Sequence, residues 1–154
     1  MADKIIHPSD SAKQREIELF IVNEIAKKEN LIFEEKKTII EEVAFEFDFY
    51  HKEKKIIGEI YAGIEKISAG SRKKVITDCF KLVYAEKLLG YPCKKRLVFI
   101  DENIKKVFTG KSWVANAIKE FGIIIDVIPI SQEIMNELIE IKKIQQCSNK
   151  KIQS

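Results

Sequence analysis

The chain has 154 residues and a mass of 17.8 kDa, and its 27 Lys and Arg against 24 Asp and Glu give a formal net charge of +3. This length suits one domain with its own core, and so small a net charge does not by itself indicate binding to nucleic acid. The three cysteines form no CxxC pair, which disfavours a disulfide framework or a zinc site, and no apolar run is long enough to cross a bilayer. We expect one cytoplasmic domain over residues 1–154, outside the membrane, with a core at about 12–145 and frayed termini.

The first predicted element is a helix over about residues 10–29, behind Ser9 or Ser11 as the N-cap. Its apolar residues recur at helical spacing, which indicates one buried face. These residues are Ile17, Phe20, Ile21 and Ile25. Residues 31–41 are ambiguous, because they fit either a strand or the end of a helix.

A β-hairpin is predicted next, from the alternating run "FEFDFY" at 45–50 and the run "KKIIGEIY" at 54–61. With a two-residue turn, Glu46 would face Glu59, and Asp48 would lie on the same side of the sheet. The opposite side would carry an apolar set for packing against helices. This set is Phe45, Phe47, Phe49, Ile56 and Ile60. A different turn length would shift the register.

The remaining elements alternate between helix and strand. A long amphipathic helix follows the hairpin and ends at Gly90, a residue suited to the left-handed conformation of a helix C-terminus. Later elements are a strand at 96–101, a helix at 112–122, a strand at 123–130 and a helix at 131–144. The alternation predicts an α/β sandwich with a central mixed sheet.

The hairpin and the long helix also carry a pattern that suggests chemistry. Carboxylates gathered on one side of a sheet repel one another, and a divalent ion such as Mg²⁺ or Mn²⁺ is a common way to stabilise them. Lys74, Asp78 and Lys81 stand at i, i+4 and i+7 and form one stripe of the helix. An ammonium group from this stripe would orient water near such an ion. The alternative is that both features are solvated surface with ordinary ion pairs.

This succession of features resembles the PD-(D/E)XK, or restriction-endonuclease-like, nuclease superfamily. The motifs are an acidic strand ending in Asp48, Glu59 in "GEIYA", and a helix with "KKVITDCFKL". More closely, the chain is similar to a group of small bacterial proteins with an E-x-aromatic-A strand, a K-x-x-x-D-x-x-K-L helix and a later "GKSW" segment, here at 110–113. The resemblance covers most of residues 12–145 and implies a restriction-endonuclease-like α/β/α sandwich.

The resemblance implies a divalent-metal-dependent nuclease that hydrolyses phosphodiester bonds. Asp48 and Glu59 would be the ligands of Mg²⁺ or Mn²⁺, and the hairpin register adds Glu46 as an auxiliary ligand. An acidic residue of the first helix, either Glu18 or Glu24, would assist. DNA rather than RNA is the expected substrate, and cleavage of both strands would commonly require a homodimer.

The chain departs from the family motif at one position, because Tyr61 stands where the motif lysine is expected, two residues after Glu59. Some members of the superfamily supply this lysine from the neighbouring helix. The resemblance therefore makes Lys74 the first candidate for the catalytic lysine and Lys81 the second. The alternative function is a catalytically inactive nuclease-like domain that binds nucleic acid or a protein.

A nucleic-acid-binding rim is predicted where the long helix begins. Lys66, Ser71, Arg72 and Lys73 surround the loop "SAGSRKK", and the run "KKR" at 94–96 would extend this basic surface. The alternative is that these cations only keep the protein in solution.

Three residues near the "GKSW" segment receive structural interpretations. Ser112 is predicted to be the N-cap of the helix that follows it. Trp113 and Phe121 are predicted to be packing residues rather than platforms for nucleic-acid bases, because aromatic residues at helical spacing usually serve a core.

Overall fold

The computed structural model describes the backbone of residues 10–152 and the side chains of residues 12–144 and of Cys147. The described part contains five helices and six strands. In chain order they are α1 (Asp10–Glu29), β1 (Lys37–Ile40), β2 (Val43–Glu46), β3 (Phe49–His51), β4 (Ile56–Tyr61), α2 (Ala69–Leu89), β5 (Lys94–Phe99), α3 (Glu102–Thr109), α4 (Trp113–Glu120), β6 (Ile123–Val127) and α5 (Gln132–Ile152).

The main sheet has four strands in the order β3-β4-β5-β6. β3 pairs with β4 in antiparallel fashion, whereas β4 with β5 and β5 with β6 are parallel pairs, so the sheet is mixed. β1 and β2 form a separate antiparallel two-stranded sheet. Parallel strands need crossover connections, and α2 together with the pair α3 and α4 supplies them.

Helices cover both faces of the main sheet. On one face, the buried side of α1 packs with residues of β3, β4 and β5, and α5 adds partly buried side chains to the same core. On the other face, residues of α2, α3 and α4 pack against β5 and β6. Burial of apolar surface on both faces explains why apolar residues follow one another directly at the start of β4, in Ile56 and Ile57, and at the end of β5, from Leu97 to Phe99. The predicted α/β architecture with a central mixed sheet is confirmed at this level.

The strand predicted over Phe45 to Phe49 is broken in two. Phe45 and Phe47 pack against α2, in a third core with Leu82 and Ala85. Phe49 instead points to the opposite face of the main sheet, into the core formed by α1. The prediction that these phenylalanines share one face with Ile56 and Ile60 was therefore wrong, because the chain changes sheets between β2 and β3.

The hairpin register also differs from the predicted one. His51 pairs with Ile56, so the turn is four residues long, from 52 to 55, and Phe49 pairs with Gly58. Lys55 lies in the left-handed region at φ 57°, which helps to close this longer turn. Continuing the register by one residue sets Asp48 opposite Glu59, whereas the two-residue turn had set Glu46 there.

The C-terminus of α2 lies where it was predicted, whereas α3 and the full length of α5 were not predicted. Gly90 ends α2 at φ 74° and donates its N–H to the carbonyl of Glu86. The sequence prediction missed α3, whose N-cap Asp101 accepts the N–H of Asn103. α5 continues to Ile152, beyond the end predicted near residue 144. Ser9 lies outside the described residues, and no described helix is long and apolar enough to span a membrane.

Gly58 offers a test of the packing beside the Asp48–Glu59 pair. A Cβ at Gly58 would lie 1.9 Å from Cζ of Phe49, and this ring is only 1% exposed and cannot move aside. We expect Gly58→Ala to lower the free energy of unfolding by about 1–3 kcal/mol, as overpacking usually does. Urea denaturation measures this change.

The matched control is Gly70→Ala, in the first turn of α2, where a Cβ meets nothing within 4 Å. Alanine is the better helix former, so this variant should gain about 0.5–1 kcal/mol. Equal effects of the two substitutions would contradict the packing described here.

Candidate functional site

The centre of the site is a pair of carboxylates on adjacent strands. Glu59 lies in the middle of β4 on the face turned toward α2, and it is only 4% exposed. Asp48 precedes β3, and its Oδ2 accepts the backbone N–H of Ile60 at 2.7 Å. This hydrogen bond fixes the half-buried carboxylate of Asp48 beside that of Glu59.

Lys81 reaches the pair from α2. Its Nζ contacts Oε1 of Glu59, lies 3.8 Å from Oδ1 of Asp78, and donates a hydrogen bond of 2.8 Å to the backbone oxygen of Glu46. Oε1 of Glu59 is thus paired with one ammonium group, and no second donor reaches this buried oxygen among the described residues. Of the two lysines predicted for this role, the structure brings Lys81 to Glu59.

The environment of Glu59 disfavours its charged form. Burial is the largest cause, the nearby charge of Asp48 is the second, and together they raise the pKa of Glu59 to about 9. Lys81 acts in the opposite direction but does not offset them. The pair therefore lacks enough positive charge to keep both carboxylates ionised near neutral pH.

Two further carboxyl groups surround this pair. Burial raises the pKa of Glu18 on α1, and the charge of Asp48 raises it further. Burial likewise raises the pKa of Asp78, and the negative charge of Asp48 raises it further. Glu18 and Glu24 of α1 were the two acids predicted to assist at the site. The charge of Asp48 acts on Glu18, whereas Oε1 of Glu24 lies 3.8 Å from Nζ of the exposed Lys27.

Asp48 and Glu59 are the two carboxyl groups of this site that could hold a divalent ion. Mg²⁺ is commonly held by few carboxylates, with water and substrate phosphates as the other ligands. The raised pKa of Glu59 indicates that the ammonium of Lys81 does not offset burial and the charge of Asp48, which is what a site short of one cation would show. Within residues 12–144 and Cys147, however, no group of three or more acidic, His or Cys side chains is arranged to hold a metal by itself.

Glu46 and Lys74 lie apart from this contact. Glu46 is exposed on β2, pairs in register with Lys37 and offers Lys81 a backbone oxygen. The prediction that Glu46 faces Glu59 was therefore wrong, for the same reason as the hairpin register. Lys74 is exposed on α2, two helical turns before Lys81. Its positive charge acts to lower the pKa of Glu18 and of Asp78.

A basic cavity of about 370 Å³ adjoins the site at the end of β4. Tyr61, Lys66, Ser71 and Lys74 line it, as does Lys142 of α5. The structure thus brings two of the predicted nucleic-acid-binding residues, Lys66 and Ser71, together at a cavity that Tyr61 lines, two residues after Glu59 on β4. Sequence analysis missed Lys142, whose Nζ donates to the backbone oxygen of Ile64 at 2.7 Å, because the two residues are far apart in the chain.

The other predicted basic residues are divided between two environments. Arg72 and Lys73 are exposed and line a second cleft on the far side of the α2 N-terminus. Two of the three cations in the "KKR" run pair with acids instead of facing solvent, so the prediction of a phosphate-facing rim was wrong for Lys95 and Arg96. Lys95 is buried against Glu86, and the partly buried guanidinium of Arg96 donates to Oδ2 of Asp126 at 2.9 Å and also pairs with Glu29.

The two aromatic residues near the "GKSW" segment are not core residues. Trp113 is 75% exposed and Phe121 is 57% exposed, which contradicts the packing interpretation. Ser112 is the N-cap of α4, as predicted, and its hydroxyl accepts the N–H of Ala115. Trp113 directly follows this cap as the first residue of α4, and its side chain lies on the surface.

Comparison of the chain with protein-family models, curated proteins and solved structures gave no match.

The raised pKa of Glu59 predicts how stability depends on pH. In the unfolded chain Glu59 loses its proton near pH 4.5, whereas in the folded protein it keeps the proton up to about pH 9. The folded state binds more protons in this window, so this group makes stability fall as pH rises. In EDTA, Glu59→Gln should raise the melting temperature above wild type, and the difference should widen from pH 5 to pH 9.

Glu120→Gln, at an exposed position of α4, is the control and should give no widening difference. A wild-type advantage over Glu59→Gln that grows with pH would mean that Glu59 is ionised and stabilising in the folded protein.

Proposed function

We propose that the protein is a divalent-metal-dependent nuclease with a restriction-endonuclease-like fold, and that it hydrolyses phosphodiester bonds of DNA. The observation that carries the proposal is that Asp48, Glu59 and Lys81 lie close together. Asp48 is the residue before β3, Glu59 belongs to β4 and Lys81 belongs to α2. This set supplies two acidic oxygen ligands and one ammonium, although Tyr61 stands at the motif-lysine position.

Asp48 and Glu59 are the residues that would hold Mg²⁺. The bound ion would activate a water molecule and stabilise negative charge on the phosphoryl oxygens. The hydrogen bond from Ile60 to Asp48 keeps the Asp48 carboxylate oriented, and the burial of Glu59 keeps bulk water away from its oxygens. Glu18 and Asp78 add negative potential around the same place.

Lys81 takes the role that the motif lysine has in the family. The carbonyl of Glu46 accepts a hydrogen bond from its ammonium, and Oδ1 of Asp78 lies 3.8 Å from the same Nζ, so both groups help to hold Nζ near Glu59. From this position Lys81 orients the attacking water and offsets charge that develops on the phosphate in the transition state.

The alternative is a nuclease-like binding module without cleavage activity. Two observations favour it: Lys81 already contacts the oxygen that a metal would need, and the described residues contain no metal site with three such ligands. In that case the ammonium of Lys81 would replace the metal as the counter-charge of Glu59. Metal binding and cleavage separate the two functions.

Mg²⁺ should stabilise the folded protein, because a ligand that binds only the native state raises its melting temperature. We expect Mg²⁺ or Mn²⁺ to raise the melting temperature of wild type in a saturable way, and Asp48→Asn to abolish the increase. Asn keeps an oxygen for the N–H of Ile60 but lacks the charge. The same increase in both proteins would place the metal elsewhere.

Lys81→Ala should reduce metal-dependent cleavage of DNA by about 10²–10⁴-fold, the range usual for a positioned proton-transfer or water-orienting group. Lys74→Ala removes the same charge from an exposed position of the same helix and should retain most of the activity. Cleavage of a labelled duplex and a labelled single strand measures both variants. Wild-type protein that binds Mg²⁺ but cleaves neither substrate would favour the binding module.

A further inference from the structure

A cleft separate from the carboxylate site lies between the start of α2 and the start of α4. Its volume is about 480 Å³, within the range of about 300–1,000 Å³ that is common for ligand sites. Arg72 and Lys73 line one wall, and Trp113 lines the other beside Ser112. No Asp or Glu is among the described residues that line it, so the cleft is basic.

Trp113 is the most exposed aromatic residue of this wall. Three-quarters of its surface is open to solvent, although a large indole normally gains free energy from burial. It also lines a neighbouring groove between α2 and α4, to which Phe80 and Phe121 contribute exposed rings. The described residues of this groove are all uncharged. Trp113, Phe80 and Phe121 together form an aromatic surface. Its cationic neighbours, Arg72 and Lys73, lie at the end that is nearer the start of α2.

The cleft is connected to the proposed active site through the first turns of α2. Arg72 and Lys73 face the cleft, while Ser71 and Lys74, their immediate neighbours, line the basic cavity beside Tyr61. A run of cationic and polar groups thus extends from the cavity at the end of β4, across the start of α2, to Trp113. Its charge is complementary to a phosphate backbone along its whole length.

We propose that this cleft binds single-stranded nucleic acid, with a base stacked on the indole of Trp113 and the adjoining phosphates on Arg72 and Lys73. A basic track with an exposed aromatic ring is the usual means of binding a single strand without reading its sequence. Bases in a duplex are stacked on each other and do not offer a free face to the indole. The inference extends the proposed function, since the bound strand leads toward Glu59.

Trp113 is the sole tryptophan of the chain, so the intrinsic fluorescence of the protein reports on this cleft. Titration of oligothymidylate into Asp48→Asn protein in EDTA keeps the strand uncleaved. We expect saturable quenching of the emission, with an affinity that falls as salt rises. A duplex of the same length should bind more weakly and quench less.

Variants test the two walls of the cleft. Trp113→Ala should weaken binding of a labelled oligothymidylate by roughly 5- to 150-fold in fluorescence anisotropy, and Trp113→Phe should weaken it less, because stacking on the ring is lost only in the first. The double variant Arg72→Glu/Lys73→Glu should abolish binding. The control Lys28→Glu/Lys54→Glu, with the same change of charge at exposed positions of α1 and the hairpin turn, should retain it.

Other outcomes would overturn the inference. These are an absence of quenching, an affinity that Trp113→Ala leaves unchanged, and a Trp113 emission that shifts with protein concentration as the mass in solution doubles. The last result would make the aromatic surface an interface between two copies of the chain. Quenching without any metal-dependent cleavage in wild type would instead remove the proposed nuclease activity and leave the strand-binding cleft in place.

Discussion

The burial of the Glu59 carboxylate beside Asp48 is the constraint around which the site is organised. A buried carboxylate is costly unless a positive charge or several hydrogen bonds compensate it, and here burial and repulsion by Asp48 exceed the effect of Lys81. A core that only needed stability would have an apolar residue at this position of β4. The presence of an acid here, only partly compensated by Lys81, is the strongest structural argument that the position has a chemical role.

The break between β2 and β3 makes this arrangement possible. Because the chain leaves the two-stranded sheet and joins the main sheet, Asp48 falls at the junction, where its side chain accepts the N–H of Ile60. The same break frees the carbonyl of Glu46 to accept a hydrogen bond from Lys81. One irregularity in the backbone thus orients both partners of Glu59. It also divides the phenylalanines of this segment between cores on the two faces of the sheet.

α2 connects the site with the proposed strand-binding surface. Its middle carries Lys81 and Asp78, its first turns carry cations that face two different clefts, and its buried face holds Val75, Cys79 and Leu82. Since that face is packed against the sheet, the charged stripe cannot rotate relative to Glu59. A strand bound along the start of the helix would have a fixed direction with respect to the carboxylates.

The sequence by itself determined the periodic elements: α1, α2, β4, β5 and α4 follow from the spacing of their apolar residues and from end signals such as Gly90 and Ser112, which act locally. It also identified Asp48, Glu59 and Lys81 as candidates. The tertiary structure decided which of them meet. Turn length shifted the hairpin by two residues and separated Glu46 from Glu59, while packing of α2 favoured Lys81 over Lys74. The pairing of Lys95 and Arg96 with acids and the exposure of Trp113 were equally beyond the sequence, because both depend on how the elements pack together.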